Sequence, residues 1–406
     1  MNELYELPEG WEWKKLDDCT DLITKGTTPT TYGYEFLDKG INFLKIENII
    51  KGKIDLNSIN KFISEEANQS QKRSILKHND VLFSIAGTIG DTAIVKEEHL
   101  PMNTNQAIAI IRPTELLNPV FLQHSLLSIV SERTKKKQRG GAIKNISLTD
   151  IKNIEIPLPP LQEQKRIVAK LDSLFAKIDQ AIALHQQNMD ETDAWMGSVL
   201  NEVFGELEEK YEKDIIKNIS KVGTGVTPLK SKTEYYENGC INWITSKATN
   251  NNFIVESEQM ISEIAVNECR LKINPVGTLI VALYGQGKTR GQVSELKIES
   301  ATNQAIATII VNEDKVFNRY LKYFLKKSYL DLRKKASGGT QANLNLTIIK
   351  NIELPLPPLI IQQKTVQYLD QLSQKTEILK QVQNDEMESL KALKASILDR
   401  AFRGEL

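Results

Sequence analysis

Two stretches of the chain read almost alike: Lys152–Leu161 is KNIEIPLPPL, and Lys350–Leu359, 198 residues later, is KNIELPLPPL. Other blocks share that offset. Thr104–Ala109 (TNQAIA) returns at Thr302–Ala307, and Gly140–Gly141 at Gly338–Gly339. Leu171–Asp172 returns at Leu369–Asp370, and Ser198–Phe204 (SVLNEVF) as Ser396–Phe402 (SILDRAF). Ile41–Asn42–Phe43 matches Ile241–Asn242–Trp243 at an offset of 200, so two small insertions or deletions suffice. A period of this length is far too long for a solenoid; the chain is one two-part unit written twice.

Each copy of PLPPL opens a run of some 40 residues without proline. Proline suits the first turn of a helix and not its interior, so Pro160 and Pro358 mark helix starts. Alternate steps of three and four through the first run give Val168, Leu171, Phe175, Ile178, Ile182, His185, Met189, Thr192, Met196, Val199 and Val203. This is a heptad seam of about 60 Å. In the second run the apolar series is Val366, Leu369, Leu372, Leu379, Leu390, Leu393 and Ile397, interrupted at Gln383 and Glu386. Two striped helices with a globular module between them are expected to pair as an antiparallel coiled coil. His185 in the seam sets helix register more readily than it binds metal.

The stretches before the helices hold short β-branched runs broken by Gly, Asn and Pro: Asp80–Ile85, Ala93–Lys96, Ile108–Ile111, Thr278–Leu283 and Ile306–Val311. Helical patterns at Pro119–Glu132 and Val316–Lys334 interleave with them. The fold class is therefore α+β: two repeated modules, each a twisted, mostly antiparallel sheet with helices, separated by the two long helices. The expected divisions are a first module at 1–156, a central helix at 157–206, a second module at 207–354 and a C-terminal helix at 355–406.

Composition narrows the function classes. Basic and acidic residues balance at 52 each, which argues against a bulk polycation and leaves room only for local basic surface. The apolar runs stop short of the ~20 residues of a membrane span, so no membrane contact is expected. Met1–Gly10 lacks a secretory signal pattern, and Cys19, Cys240 and Cys269 are too scattered for a disulfide framework or metal cluster. A reduced, cytoplasmic protein is the plain expectation.

Local basic surface is duplicated. Lys135, Lys136, Lys137 and Arg139 precede Gly140–Gly141, and Arg333, Lys334 and Lys335 precede Gly338–Gly339. Polar stretches follow, with Lys144 in one and Gln341 in the other. Basic residues also suit a helix C-terminus, but two copies with attached Gly-Gly loops favour phosphate contact. Further DNA-binding candidates sit at loop tips: Lys45 and Asn48 after the first Ile-Asn-Phe strand, with Thr245, Ser246 and Lys247 as counterparts. Thr88 lies in the Gly87–Gly90 turn, and Gln286, Lys288 and Arg290 in its counterpart. Such side chains bond base edges, although ordinary solvated tips have the same composition. Asn105 and Asn303, identical in both copies, suit a turn or cap better than base reading.

Two apparent catalytic motifs fail against their second copies. Gly285–Thr289 (GQGKT) resembles part of a phosphate-binding loop, but Ala282 stands where that pattern needs glycine, and Gly87–Gly90 carries no Lys-Thr. Glu163–Gln164–Lys165 has an acid-x-Lys shape, yet its counterpart is Ile361–Gln362–Gln363. No metal site and no catalytic residue is expected.

The opening LPEGWEWKKL (Leu7–Leu16), the two PLPPL-helix blocks and the terminus SILDRAFRGEL (Ser396–Leu406) resemble the specificity subunits of type I restriction–modification systems. The resemblance spans the chain. It implies that the modules are target recognition domains, each reading one half of a bipartite, asymmetric site in double-stranded DNA. It also implies helices that set the spacer between half-sites about one duplex turn, ~34 Å, apart. Two modification subunits would supply S-adenosylmethionine-dependent adenine methylation, and restriction subunits ATP- and magnesium-dependent translocation and cleavage, with no cofactor on this chain. The change from Glu163 and Lys165 to Ile361 and Gln363 implies unlike partner contacts on the two helices. A specificity segment of a type IIB or IIG enzyme, or a coiled-coil scaffold without DNA contact, are the alternatives.

Overall fold

The computed structural model describes residues 5–137, 146–285, 289–337 and 344–406. The chain forms two compact units, one of residues 1–185 with 385–406 and the other of residues 186–384.

In the first unit a four-stranded antiparallel sheet runs in the order Thr20–Lys25, Ile108–Pro113, Val81–Ser84, Thr92–Ile94. Side chains alternate across a strand, and here both faces are covered. Val81, Phe83, Ala109 and Ile111 pack with Phe121, Leu122 and Leu126 of the helix Pro119–Lys137. Leu82, Ile108 and Ile110 pack on the other side with Leu44, Val95 and Met102. A small sheet, Phe62–Ile63, Ile41–Leu44, Met102–Thr104, lies alongside, its last pair parallel.

The second unit repeats this plan. Its main sheet runs Ser220–Thr224, Ile306–Val311, Leu279–Ala282, Val293–Leu296, Phe253–Ile254, with only the last pairing parallel. Leu279, Val281, Ala307 and Ile309 face Tyr320 and Phe324 of the helix Asn318–Lys327, while Ile280 and Ile306 face Ile244, Ile254 and Leu296. The helical pattern expected at Val316–Lys334 is two helices, Asn318–Lys327 and Tyr329–Ser337.

The long helices are Leu161–Lys210 and Leu359–Phe402. Each starts one residue past its proline, whose carbonyl accepts from the third and fourth amides: Glu163 and Gln164 on Pro160, Ile361 and Gln362 on Pro358. Gln164 and Gln362 are fully buried and lock the helix start to the module. Gln164 Nε2 donates to Leu116 O and Pro159 O, both at 2.9 Å, and its Oε1 accepts from Asn118 N at 2.8 Å. Gln362 does the same with Lys315 O, Pro357 O and Phe317 N at 3.1, 2.8 and 2.8 Å. Glu163 turns outward to a two-pronged bond with Arg166, at 2.8 Å for each prong.

The helices pair antiparallel within each unit. In the first, Ile167, Leu171, Val168 and Phe175 meet Leu398, Ala401, Phe402 and Ile397, and Lys394 bonds Asp179 at 2.8 Å. In the second, Met196, Val199, Val203 and Phe204 meet Val366, Leu369 and Leu372, and Lys380 pairs with Asp193. The expected seam on the first helix holds: from Val168 to Val203 its positions, Ile178 and Ile182 among them, are buried or half-buried. On the second helix it holds at Val366, Leu369, Leu372, Leu390 and Ile397 and is corrected at two positions. Leu379 and Leu393 are about half exposed, whereas Thr376 and Met387 are buried. The covered series runs Val366, Leu369, Ser373, Thr376, Lys380, Gln383, Met387, Leu390, Lys394, Ile397, Ala401, with steps of three and four throughout. Polar residues occupy five of its eleven positions, and two of them, Lys380 and Lys394, reach acids on the facing helix.

Candidate nucleic-acid interface

Strand register places the candidate loops of each module together. In the first unit Lys25 pairs with Ala109, Ile108 with Ser84, and Phe83 with Thr92. Leu44 pairs in parallel with Thr104. One edge therefore carries the segment after Lys25, the tip after Leu44, the turn Ile85–Asp91 and the turn Asn105–Ala107. Backbone bonds stitch them: Ile85 N to Ala107 O at 2.9 Å, and Ile146 N to Ile85 O at 3.2 Å.

The second unit has the same edge. Thr224 pairs with Ala307, Ile306 with Ala282, Val281 with Val293, and Ile244 with Thr302. Leu283 N donates to Ala305 O at 2.8 Å, and Leu344 N to Leu283 O at 3.2 Å. Asn105 and Asn303 make the turns: their Oδ1 atoms accept from Ala107 N and Ala305 N, each at 3.1 Å. The turn expected from their identity in both copies is present.

The individual candidates differ in availability. Thr88 is exposed, and Lys45 is partly so, 3.8 Å from Glu47 and 5.8 Å from the Phe36 ring centre. Thr245 and Ser246 are half-buried and Lys247 is exposed, 3.6 Å from Glu258. Asn48 corrects its expectation as an outward reader. It is 3% exposed, its Oδ1 accepts from Lys45 N at 2.9 Å, and its Nδ2 donates to Ser58 O at 2.9 Å. Arg333 donates to Arg290 O at 3.1 Å and stacks on Tyr329, so it braces the turn that Arg290 leaves. Lys135, Lys136 and Lys137 close the helix Pro119–Lys137, and Lys334 and Lys335 lie in the helix Tyr329–Ser337. The side chains of these lysines, and Arg139, Lys144, Gln286, Lys288 and Gln341 altogether, lie outside the described residues.

One pair at this edge is invisible to a local reading. Gly26–Thr27–Thr28–Pro29 and Gly225–Val226–Thr227–Pro228 share a Gly-x-Thr-Pro pattern. Thr28 Oγ1 donates to Gln106 Oε1 at 2.6 Å, and Thr227 Oγ1 to Gln304 Oε1. A Cβ on Gly26 would lie 1.8 Å from Thr104 O, and on Gly225 1.7 Å from Thr302 O, so both loops press so closely that only glycine fits. Among the described residues no group of His, Cys, Asp and Glu could hold a metal ion, and no helix is long and apolar enough to cross a membrane.

Two modules, each exposing a loop edge and each anchored on paired helices, define a duplicated recognition protein. The family model described as type I restriction modification DNA specificity domain matches residues 8–187 and again 208–388, most of the chain; the protein belongs to that family. The StySPI specificity subunit of Salmonella potsdam is 26% identical over 431 residues, covering 99% of this chain and 90% of that one. The EcoBI specificity subunit of Escherichia coli is 34% identical over 179 residues, 43% of this chain and 36% of that one. A solved chain described under "complex assembly and conformational transition of the type I R-M system" has a TM-score of 0.73 at 25% identity, covering 99% of this chain and all of that one. The HsdS subunit from Thermoanaerobacter tengcongensis, at 24% identity and a TM-score of 0.50 over 100% of this chain and 99% of that one, shares the fold.

Proposed function

We propose that this chain is the DNA-reading specificity subunit of a type I restriction–modification complex, each module presenting its loop edge to one half of a split, asymmetric site. The observation that carries this is the convergence of the polar loops on one edge in both modules, within a family described by DNA specificity. The loop tips differ between copies, Thr88 against Gln286, Lys288 and Arg290, as two unlike half-sites require.

The chain reads and scaffolds and has no catalysis of its own, since neither catalytic-looking motif is repeated. Modification subunits bring S-adenosylmethionine and methylate adenine; restriction subunits bring ATP and magnesium; the complex works in the cytoplasm. The test is to express the chain with its modification subunits and map methylated adenines. One split sequence with a fixed spacer is expected; methylation at random or not at all overturns the reading. Replacing Lys334 and Lys335 by Ala should weaken binding to every sequence and reduce the salt slope by about two. An unchanged slope removes those lysines from the phosphate contacts.

A further inference from the structure

Gln106 and Gln304 are exposed, and each has its amide oxygen engaged by a threonine of the Gly-x-Thr-Pro loop. In both pairs the amide oxygen is turned toward the hydroxyl and accepts its proton. With Oε1 accepting from the hydroxyl, the remaining polar function is the Nε2 donor pair, which has no partner among the described residues. Each glutamine thus offers a neutral, oriented donor at the loop edge.

Its recurrence says what it donates to. The neighbouring tips diverge between the modules, as base readers must. The glycine, threonine, proline, asparagine and glutamine of this element do not diverge, and both copies have the same bonding. An element held constant in two modules that read different sequences is matched to something both half-sites share. Duplex DNA offers one such acceptor everywhere, the phosphate oxygen, and phosphate contacts position a reader without specifying bases. Adenine readout by glutamine uses the amide oxygen as well as the nitrogen, and here one lone pair of that oxygen is already taken by the threonine.

Resting on the DNA-reading function proposed above, we infer that the Thr28–Gln106 and Thr227–Gln304 pairs are twin phosphate clamps that set the register of each module on the duplex. They act through Nε2 and are indifferent to sequence.

The decisive variants are Gln106→Glu and Gln304→Glu, made in the complex with the modification subunits. A glutamate still accepts from the threonine hydroxyl, so the internal bond and the melting temperature survive. The donor is lost and a negative charge faces the phosphate. Binding to cognate and to random duplexes should fall by the same factor, roughly tenfold for each variant. Gln106→Lys should hold or raise affinity and steepen the salt slope by about one. A Glu variant that binds like the wild type, with the wild type still selective, overturns the clamp and leaves a purely internal bond. Loss confined to the cognate duplex, with relaxed preference at one base pair, overturns it in favour of base reading. A wild-type complex that prefers no sequence overturns the DNA-reading function itself.

Discussion

In the first unit Gln123 Nε2 donates to Gly52 O at 3.0 Å, and the neighbouring His124 ring lies 3.4 Å from Asp172 on the long helix. In the second, the equivalent Lys322 Nζ donates to Asn252 O at 2.7 Å, and Tyr323 Oη donates to Asp370 at 2.7 Å. The two modules tie the same helix to the same loop and the same aspartate with different side chains. The repeat has therefore preserved positions of bonds more strictly than identities of residues. Where one residue can make the bond in both settings it stays, as with Gln164 and Gln362; where the surroundings differ, it changes. Lys322 sits 3.7 Å from the Phe253 ring centre and 3.5 Å from the buried Glu295, whereas Gln123 Nε2 lies 3.3 Å from Thr92 Oγ1.

That comparison is broken most forcefully at the shared glutamines. Gln164→Ala leaves one amide and two carbonyls unpaired, and Gln362→Ala does the same in the other unit; each should cost about 3 kcal/mol. Denaturant unfolding of the two variants checks this. Similar losses are expected because the bonding is the same, and a loss in only one unit would show that the anchors are not equivalent.

The seam offers a second test. Met387→Ala should cost about 2–3 kcal/mol as a buried large-to-small change, while Leu379→Ala should stay within ~0.5 kcal/mol. The reverse order would restore the seam expected from the sequence. That expectation followed apolar residues, and Leu379 and Leu393 supplied a convincing stripe one position out of register. The covered positions there are instead Lys380 and Lys394, whose aliphatic stems pack while their heads reach acids on the facing helix. On the first helix, where apolar residues fill the seam, the reading succeeded.

The remaining tests are in pH. Burial pushes the His124 imidazole below its ordinary range although Asp172 pulls it up. Its contribution to stability is therefore full above the ordinary histidine value and is lost as pH falls through the lowered one. Burial likewise pushes the Lys322 ammonium down to about 7, with Lys326 adding to the effect and Glu295 opposing it. The second unit should gain stability as pH rises from about 7 toward the unfolded lysine value of 10.5. Lys322→Met should flatten that rise, and His124→Phe should blunt the acid loss; melting temperature against pH for each variant measures both. A wild-type profile that leaves these slopes unchanged in the variants would assign the titration to other groups.

Repetition made the architecture legible: helix starts, modules and the Asn105 and Asn303 turns all came from self-comparison, while Gly140–Gly141 and Gly338–Gly339 lie outside the described residues. What stayed hidden depended on partners remote in sequence. Asn48 looks like a loop tip until Ser58 and the Lys45 amide enclose it. Thr28 and Gln106 lie 78 residues apart, and their bond exists only because the Thr20–Lys25 and Ile108–Pro113 strands pair.

The units also differ in how they are drawn from the chain. The second is one unbroken run, residues 186–384, while the first needs residues 385–406, which bring Leu398, Ala401 and Phe402 to its core. On a ribosome, the downstream module therefore has all its parts first, and the upstream module waits until residues 385–406 have been made. A nonsense mutation near codon 385 should accordingly damage the module encoded farthest from it.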